Sequence, residues 1–176
     1  MQKNWYAVYT KPQCEKKVAA LLSKKKIETY CPLGSFETQT FRRNKMVFKP
    51  LFRSYVFVHA TQSDFDMLKK TDCVVSMLYW LGQPAVIKDE EIAAIKEFTA
   101  DHKNIELERG HVNVNDTARN FSASSYAIDG NLVTIKNKII KINLPSLGFT
   151  MKARIEDESI FGRESMLQST TFVHSS

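Results

Sequence analysis

Basic side chains gather in one stretch of this 176-residue chain. Between Glu37 and Asp64 there is no acid, and the cations in that interval are Arg42, Arg43, Lys45, Lys49 and Arg53. Arginine and lysine beside exposed aromatic rings are typical of surfaces that contact a phosphate backbone. A solvated surface that only keeps a protein soluble has the same composition. The charge alone therefore leaves nucleic-acid binding and simple solvation open.

The positive charge is confined to the first half of the chain. Residues 1–98 hold 16 Lys and Arg against 10 Asp and Glu, whereas residues 99–176 hold nine of each class. Such a break in composition predicts two units, of which the first carries the basic surface.

Residues that could support covalent or metal chemistry form no recognisable pattern. The sequence has no glycine-rich phosphate loop, no nucleophile elbow, no acid pair in a recognisable catalytic frame and no Cys-His signature. Cys14, Cys31 and Cys73 follow no repeating spacing, and the four histidines have no paired ligand spacing. We therefore expect a protein that is not an enzyme and that holds neither a metal nor another cofactor.

The hydropathy pattern predicts no membrane contact. The longest apolar runs are far shorter than a membrane span, and the opening MQKNWYAVYT lacks the apolar core of a signal peptide. The expected location is the cytoplasm.

The stretch KPLFRSYVFVHA, residues 49–60, predicts the central strand of the fold. It is apolar on both faces, and simple alternation places Tyr55 and Phe57 on the face opposite Phe52. The other strand that is apolar on both faces, Trp5–Thr10, is expected beside it, because sequential elements usually pack as neighbours.

The remaining elements of the first half complete an α+β pattern. In order, we expect a helix capped by Thr10 and Gln13 and ending near Lys26, a basic hairpin tip at Phe41–Phe48, a short helix capped by Ser63, a strand at Val74–Trp80 and a helix opened by Asp89. The order β-α-β-β-α-β-α predicts a split βαβ domain with an antiparallel sheet over residues 1–100.

The second half changes character. Residues 101–108 are polar and predict a linker, after which short β-rich runs separated by turn signals predict a small β-barrel over residues 109–157. The tail, residues 158–176, is rich in Ser and Thr and is expected to be disordered.

Four motifs together resemble a known family. They are NWYAVYTKP at the start, PLFRSYVFV in the central strand, GQPAVI after Trp80, and Arg109-Gly110-His111-Val112 at the start of the barrel. Over roughly residues 3–156 the chain resembles the NusG family of transcription elongation factors. Within it, the chain resembles the specialised branch of RfaH and the UpxY-type capsular-polysaccharide antiterminators.

The resemblance implies a fold and a function. The fold would be an N-terminal NusG-type domain followed by a KOW domain, which is an SH3-like barrel. The protein would be a monomer that binds the clamp helices of bacterial RNA polymerase and suppresses pausing and termination, here at polysaccharide-biosynthesis operons. The KOW domain would recruit a ribosomal protein or another factor.

The resemblance also implies site residues. The polymerase-binding residues would be Tyr9, Phe52, Tyr55 and Phe57, with Tyr55 as the main anchor and Tyr9 beside it. Contacts to nucleic acid, including the non-template DNA strand of the elongation complex, would come from Lys11, Lys17, Arg42, Arg43 and Lys45.

Two features keep alternatives open. Residues 115–125, NDTARNFSASS, lack the Gly-Pro turn usual in KOW domains, which puts the usual KOW contacts in question. A stand-alone RNA-binding module is the competing hypothesis, since RRM domains also expose aromatic residues on a split βαβ sheet. The RRM core motif is, however, absent from residues 51–60.

Overall fold

The computed structural model describes residues 2–40, 43–109, 124–128, 131–136 and 139–155. Within these ranges the helices are α1 (Glu15–Lys24), α2 (Phe65–Lys69) and α3 (Asp89–Asp101), and a 3₁₀ turn covers Gln62–Asp64. The strands are β1 (Asn4–Thr10), β2 (Glu28–Tyr30), β3 (Leu33–Thr40), β4 (Arg43–Pro50), β5 (Tyr55–Ala60), β6 (Val74–Met77), β7 (Tyr79–Trp80), β8 (Gln83–Pro84), β9 (Val86–Ile87), β10 (Glu106–Arg109), β11 (Ser124–Ile128), β12 (Asn131–Lys136), β13 (Ile139–Leu144) and β14 (Phe149–Arg154).

The first sheet is built around β5 and β1, as the sequence predicts. Its strand order is β2-β5-β1-β6, and β9 pairs with β1 as well. Strands β1 and β5 run antiparallel, with a register that extends from Asn4 opposite Ala60 to Tyr9 opposite Tyr55. The predicted central strand and its predicted neighbour are therefore confirmed.

Alternation along these strands supplies two separate apolar faces. Helix α1 packs its buried Val18 and Leu22 into one cluster with Val56 and Val58 of β5. The opposite face contributes Phe57 to a second cluster that also contains side chains of α3. A strand that is buried on both sides reads as a continuous apolar run, which is why this stretch is recognisable from sequence.

Phe52 is the exception to the alternation. Residues 51–54 form a turn rather than a strand, since the Tyr55 N–H donates to the Phe52 carbonyl at 3.2 Å and Ser54 has a φ of 62°. The turn places Phe52 in the same cluster as Phe57. The prediction that Phe52 lies on the face opposite Phe57 is therefore wrong, and the predicted strand over 49–60 is shortened to Tyr55–Ala60, since Lys49 and Pro50 end β4.

Two predicted helix caps are also wrong. The N-cap of α1 is Cys14, without a side-chain cap, and the Thr10 hydroxyl donates instead to the Lys11 carbonyl at 3.1 Å. The N-cap of α2 is Asp64 rather than the predicted Ser63. A 3₁₀ turn precedes α2, and there the Thr61 N–H and hydroxyl donate to Asp64 Oδ2 at 2.9 and 2.8 Å.

The strand expected at Val74–Trp80 is split into two. Strand β6 ends at Met77 in the first sheet, and β7 pairs with β8 in a separate hairpin. The start of the last helix is as expected, because α3 begins at Asp89 with three acids in its first turn, where the helix dipole favours them.

The second sheet has the order β10-β14-β13-β12-β11, with antiparallel pairing throughout. Its terminal strands, β10 and β11, do not pair with each other in the described part of the chain, so the sheet is open and a closed SH3-like barrel is not confirmed. Strand β10 begins inside the segment expected as a linker, residues 101–108, and ends at Arg109. The predicted tail, 158–176, and the predicted hairpin residues Phe41 and Arg42 lie outside the described residues.

A single apolar cluster joins the two sheets. It extends from Trp5 and Phe57 through Ile95 of α3 to Leu144 and Met151 of the second sheet. A polar contact reinforces the junction, since the Ser146 N–H, between β13 and β14, donates to Glu91 Oε1 of α3 at 3.0 Å. The Asn104 N–H, just before β10, donates to the Ser35 carbonyl of β3 at 2.8 Å. The second sheet therefore packs directly against the first unit.

Candidate functional site

Two tyrosines form a partly exposed aromatic pair at one end of the central strands. Tyr9 and Tyr55 lie opposite each other in the β1–β5 register, with ring centroids 5.3 Å apart and planes inclined by 60°. Tyr9 is 39% exposed, and Tyr55 is half-buried against the shared apolar cluster. We call these two residues the tyrosine pair. The pair forms the solvent-exposed border of the apolar face of the sheet.

The turn that presents Tyr55 is held by two groups distant in sequence. Glu15, at the start of α1 and only 5% exposed, accepts a hydrogen bond from the Ser54 N–H at 2.7 Å. The Thr10 N–H donates to the Ser54 carbonyl at 2.8 Å. Ser54 has a positive φ, a conformation that a non-glycine residue adopts at some cost, so these two bonds fix the start of β5.

Phe52 and Phe57, also expected to bind a partner, are buried. Phe57 is fully buried, and its ring lies 5.1 Å from that of Phe52 at 72°. Phe52 is 2% exposed within the same apolar cluster, and the Phe149 ring of β14 packs edge-on against it, with centroids 5.7 Å apart and planes at 85°. In this conformation the tyrosine pair is the part of the expected aromatic surface that reaches solvent.

Of the two cations expected at the non-template strand, one is paired. Lys17 Nζ lies 2.6 Å from Asp72 Oδ2 and 3.7 Å from Cys73 Sγ. The hydrogen bond to Asp72 raises the pKa of Lys17 and lowers the pKa of Asp72. Lys11 is exposed, and its backbone N–H donates to the Cys73 carbonyl at 2.9 Å, which ties it to the same region.

The basic hairpin is present in the part that the structure describes. Strands β3 and β4 pair from Leu33 opposite Pro50 to Thr40 opposite Arg43. Arg43 and Lys45 are exposed on β4, whereas Arg42 lies outside the described residues. The hairpin thus carries exposed cations towards its tip, as the sequence predicts.

Sequence reasoning missed two residues that shape this site. Glu15 reads as an ordinary acid at a helix start, and nothing in its spacing indicates that it holds a turn 39 residues away. Phe149 follows Gly148 at the start of a predictable strand, but the pattern does not indicate which surface the ring will cover. Both are long-range contacts without a local signal.

The described residues contain no group of three or more His, Cys, Asp or Glu that could hold a metal ion. Among the helices in the described ranges, none has the length and hydropathy needed to cross a membrane.

Comparison with solved structures gives the fold context. The chain is similar to the structure titled "Domain interaction in Thermotoga maritima NusG", with a TM-score of 0.51, 20% identity, and coverage of 88% of this chain and 93% of that one. It also matches conformation A of the MjSpt4:Spt5 complex, with a TM-score of 0.33, 19% identity, and coverage of 85% and 99%. No curated protein sequence matches this chain.

A match to a protein-family model identifies the family of this chain. The model described as "Transcription termination factor nusG" matches residues 3–96, which contain the first sheet, the tyrosine pair and the basic hairpin. Because this match spans more than half of the chain, the protein belongs to the NusG family of transcription factors.

Proposed function

We propose that this protein is a transcription elongation and antitermination factor that binds the clamp helices of bacterial RNA polymerase. The observation that carries the proposal is the tyrosine pair, a partly exposed aromatic surface fixed on the two central strands. Tyrosines held by rigid elements at the border of an apolar face are the kind of residue that dominates protein interfaces. The NusG family is a family of transcription factors rather than enzymes, which agrees with this proposal.

The four aromatic residues would then have different roles. Tyr9 and Tyr55 contact the polymerase directly, and Phe57 supports them from inside the sheet. Phe52 is covered by Phe149, so it joins the interface only if the second sheet moves away from the turn at residues 51–54. Exposure of Phe52 would enlarge the aromatic surface at the tyrosine pair.

Nucleic acid would be contacted by the basic residues of the first unit. Lys11 and Lys17 approach the non-template DNA strand, and Arg42, Arg43 and Lys45 supply further contacts to nucleic acid. The second sheet, as the counterpart of a KOW domain, recruits a ribosomal protein or another factor. Polysaccharide-biosynthesis operons are the proposed targets, on the resemblance to the RfaH and UpxY branch.

A purified transcription assay tests this function. Core polymerase transcribes a template with one pause site and one intrinsic terminator, with or without this protein. The expected result is shorter pausing and increased readthrough with the wild type, both lost with Tyr55→Ala. A wild-type protein that binds polymerase but changes neither pausing nor readthrough would contradict antitermination and leave an interaction module.

A further inference from the structure

A cleft of about 790 Å³ opens between the β3–β4 hairpin and the second sheet. One wall is the base of the β3–β4 hairpin and the turn that follows it, and the other comes from β10 and the start of β14. The volume falls within the range of about 300–1,000 Å³ that is usual for small-molecule sites. The open cleft therefore has the volume to accommodate a ligand of nucleotide size.

Aromatic rings line this cleft. Phe36, Tyr55 and Phe149 are each half-buried and line the cleft from both walls. The Phe36 ring packs closely over Gly34, where an added Cβ would lie 2.9 Å from the ring. Glycine at this position thus leaves room for the ring, and the cleft gains a fixed aromatic surface on which a flat ligand can stack.

Three exposed cations border the same cleft: Lys49, Arg53 and Arg109. Within the described part of the chain, none of the three forms an ion pair with a carboxylate. Among the described residues that line the cleft, Glu106 is the one acid, and Lys152 Nζ lies 2.9 Å from its carboxylate, which offsets its charge. The Arg109 guanidinium carbon lies 5.7 Å from the Phe149 ring centroid, so cation and aromatic surface are adjacent.

From this combination we infer that the cleft binds a nucleotide. Its base would stack on the aromatic lining, and its phosphates would be bound by the arginines and the lysine at the border. A purely apolar ligand would leave the cations without a partner, and a bare inorganic anion would leave the rings unused. The nucleotide could be a free nucleoside diphosphate or the phosphorylated end of a single strand, since both present the same chemistry.

The inference does not depend on polymerase binding, so the two proposals can fail separately. Because one wall belongs to the β3–β4 hairpin with the turn after it and the other to the second sheet, a bound nucleotide would hold these parts together and raise the melting temperature of the protein. It would also occupy the side of Tyr55 that faces the cleft.

Isothermal titration calorimetry on the full chain provides the test. The probes are adenosine diphosphate, guanosine diphosphate and a 5′-phosphorylated oligoadenylate of six nucleotides. We expect saturable 1:1 binding of at least one probe, weakened about tenfold or more in Arg53→Ala/Arg109→Ala, because two charge-assisted contacts are lost. Phe36→Leu, which keeps an apolar side chain but removes the ring, should also weaken binding.

A matched control removes two exposed cations elsewhere. Lys24→Ala/Lys69→Ala changes the net charge by the same amount on α1 and α2, away from the cleft, and should bind as the wild type does. Binding of a diphosphate would identify a free nucleotide as sufficient, and binding of the oligonucleotide alone would identify a strand end. The inference is overturned if no probe binds, if the control weakens binding as much as the cleft variant, or if the cleft variants bind normally.

Discussion

Truncating a buried leucine of the second sheet should destabilise the first. Leu144 of β13 is fully buried in the cluster that also contains Trp5 of β1. Leu144→Ala removes three carbons from this cluster and leaves a cavity, and buried changes of this kind cost about 2–5 kcal/mol. For a chain of this size, a loss of about 3 kcal/mol corresponds to a fall in melting temperature of about 6–12 °C.

Tryptophan fluorescence reports the effect on the first sheet. Trp5 is 6% exposed and Trp80 is 73% exposed, so the emission change on unfolding comes mainly from Trp5. We expect the fluorescence transition and the far-ultraviolet circular dichroism transition of Leu144→Ala to move together to lower temperature. The matched control is Leu81→Ala at an 88% exposed position. It should change the free energy of unfolding by no more than about 0.5 kcal/mol, so both transitions should stay close to the wild-type temperature.

One result would refute this reasoning. If the Trp5 transition of Leu144→Ala stays at the wild-type temperature while circular dichroism shows a separate earlier transition, the two sheets unfold independently. The apolar cluster would then not be shared energetically, and the two-unit organisation expected from the sequence would describe the protein better.

Three further predictions concern titration, reactivity and charge. Burial beside the Phe98 ring lowers the pKa of His102 from its ordinary value of 6.5, so the unfolded chain takes up the proton first as the pH falls. The contribution of His102 to stability should therefore be fully present above pH 6.5 and be lost as the pH drops through the lowered folded pKa. His102→Gln should flatten this decline in urea titrations. Burial, assisted by the charge of Glu15, raises the pKa of the Cys31 thiol from 9.0 to about 11. Because the thiolate is the reactive form, iodoacetamide at pH 8 should alkylate Cys31 about a hundredfold more slowly in the native protein than in urea, as measured by peptide mass spectrometry. Equal rates would contradict the burial of Cys31. Replacing Arg42, Arg43 and Lys45 with Ala should weaken binding to single-stranded DNA and reduce its dependence on salt without changing the melting temperature, and an unchanged salt slope would mean that these cations only solvate the hairpin.

The centre of the fold could be predicted because its signal is local. A strand buried on both faces must be apolar at successive positions, and the stretch around Tyr55 and Phe57 meets this requirement. The antiparallel neighbour, β1, has the same property, so the pairing that brings Tyr9 beside Tyr55 followed from the two patterns together.

The position of Phe52 could not be predicted by alternation. The turn before β5 is fixed by Glu15 and Thr10, which lie far away in sequence and carry no local sign of this role. The covering of Phe52 by Phe149 likewise depends on how the second sheet packs. Local patterns specify which residues are apolar, but contacts between distant elements decide which of them remain exposed.

The affinity of core RNA polymerase for the purified protein tests the central claim most directly. Tyr55→Ala should weaken binding about 30-fold or more, since truncating an interface anchor typically costs about 2 kcal/mol or more. Tyr79→Ala is the matched control, because Tyr79 is 44% exposed on the separate β7–β8 hairpin and should bind as the wild type does. Circular dichroism must show both variants folded. Wild-type affinity in a folded Tyr55→Ala variant would contradict the assignment of the tyrosine pair as the polymerase-binding surface.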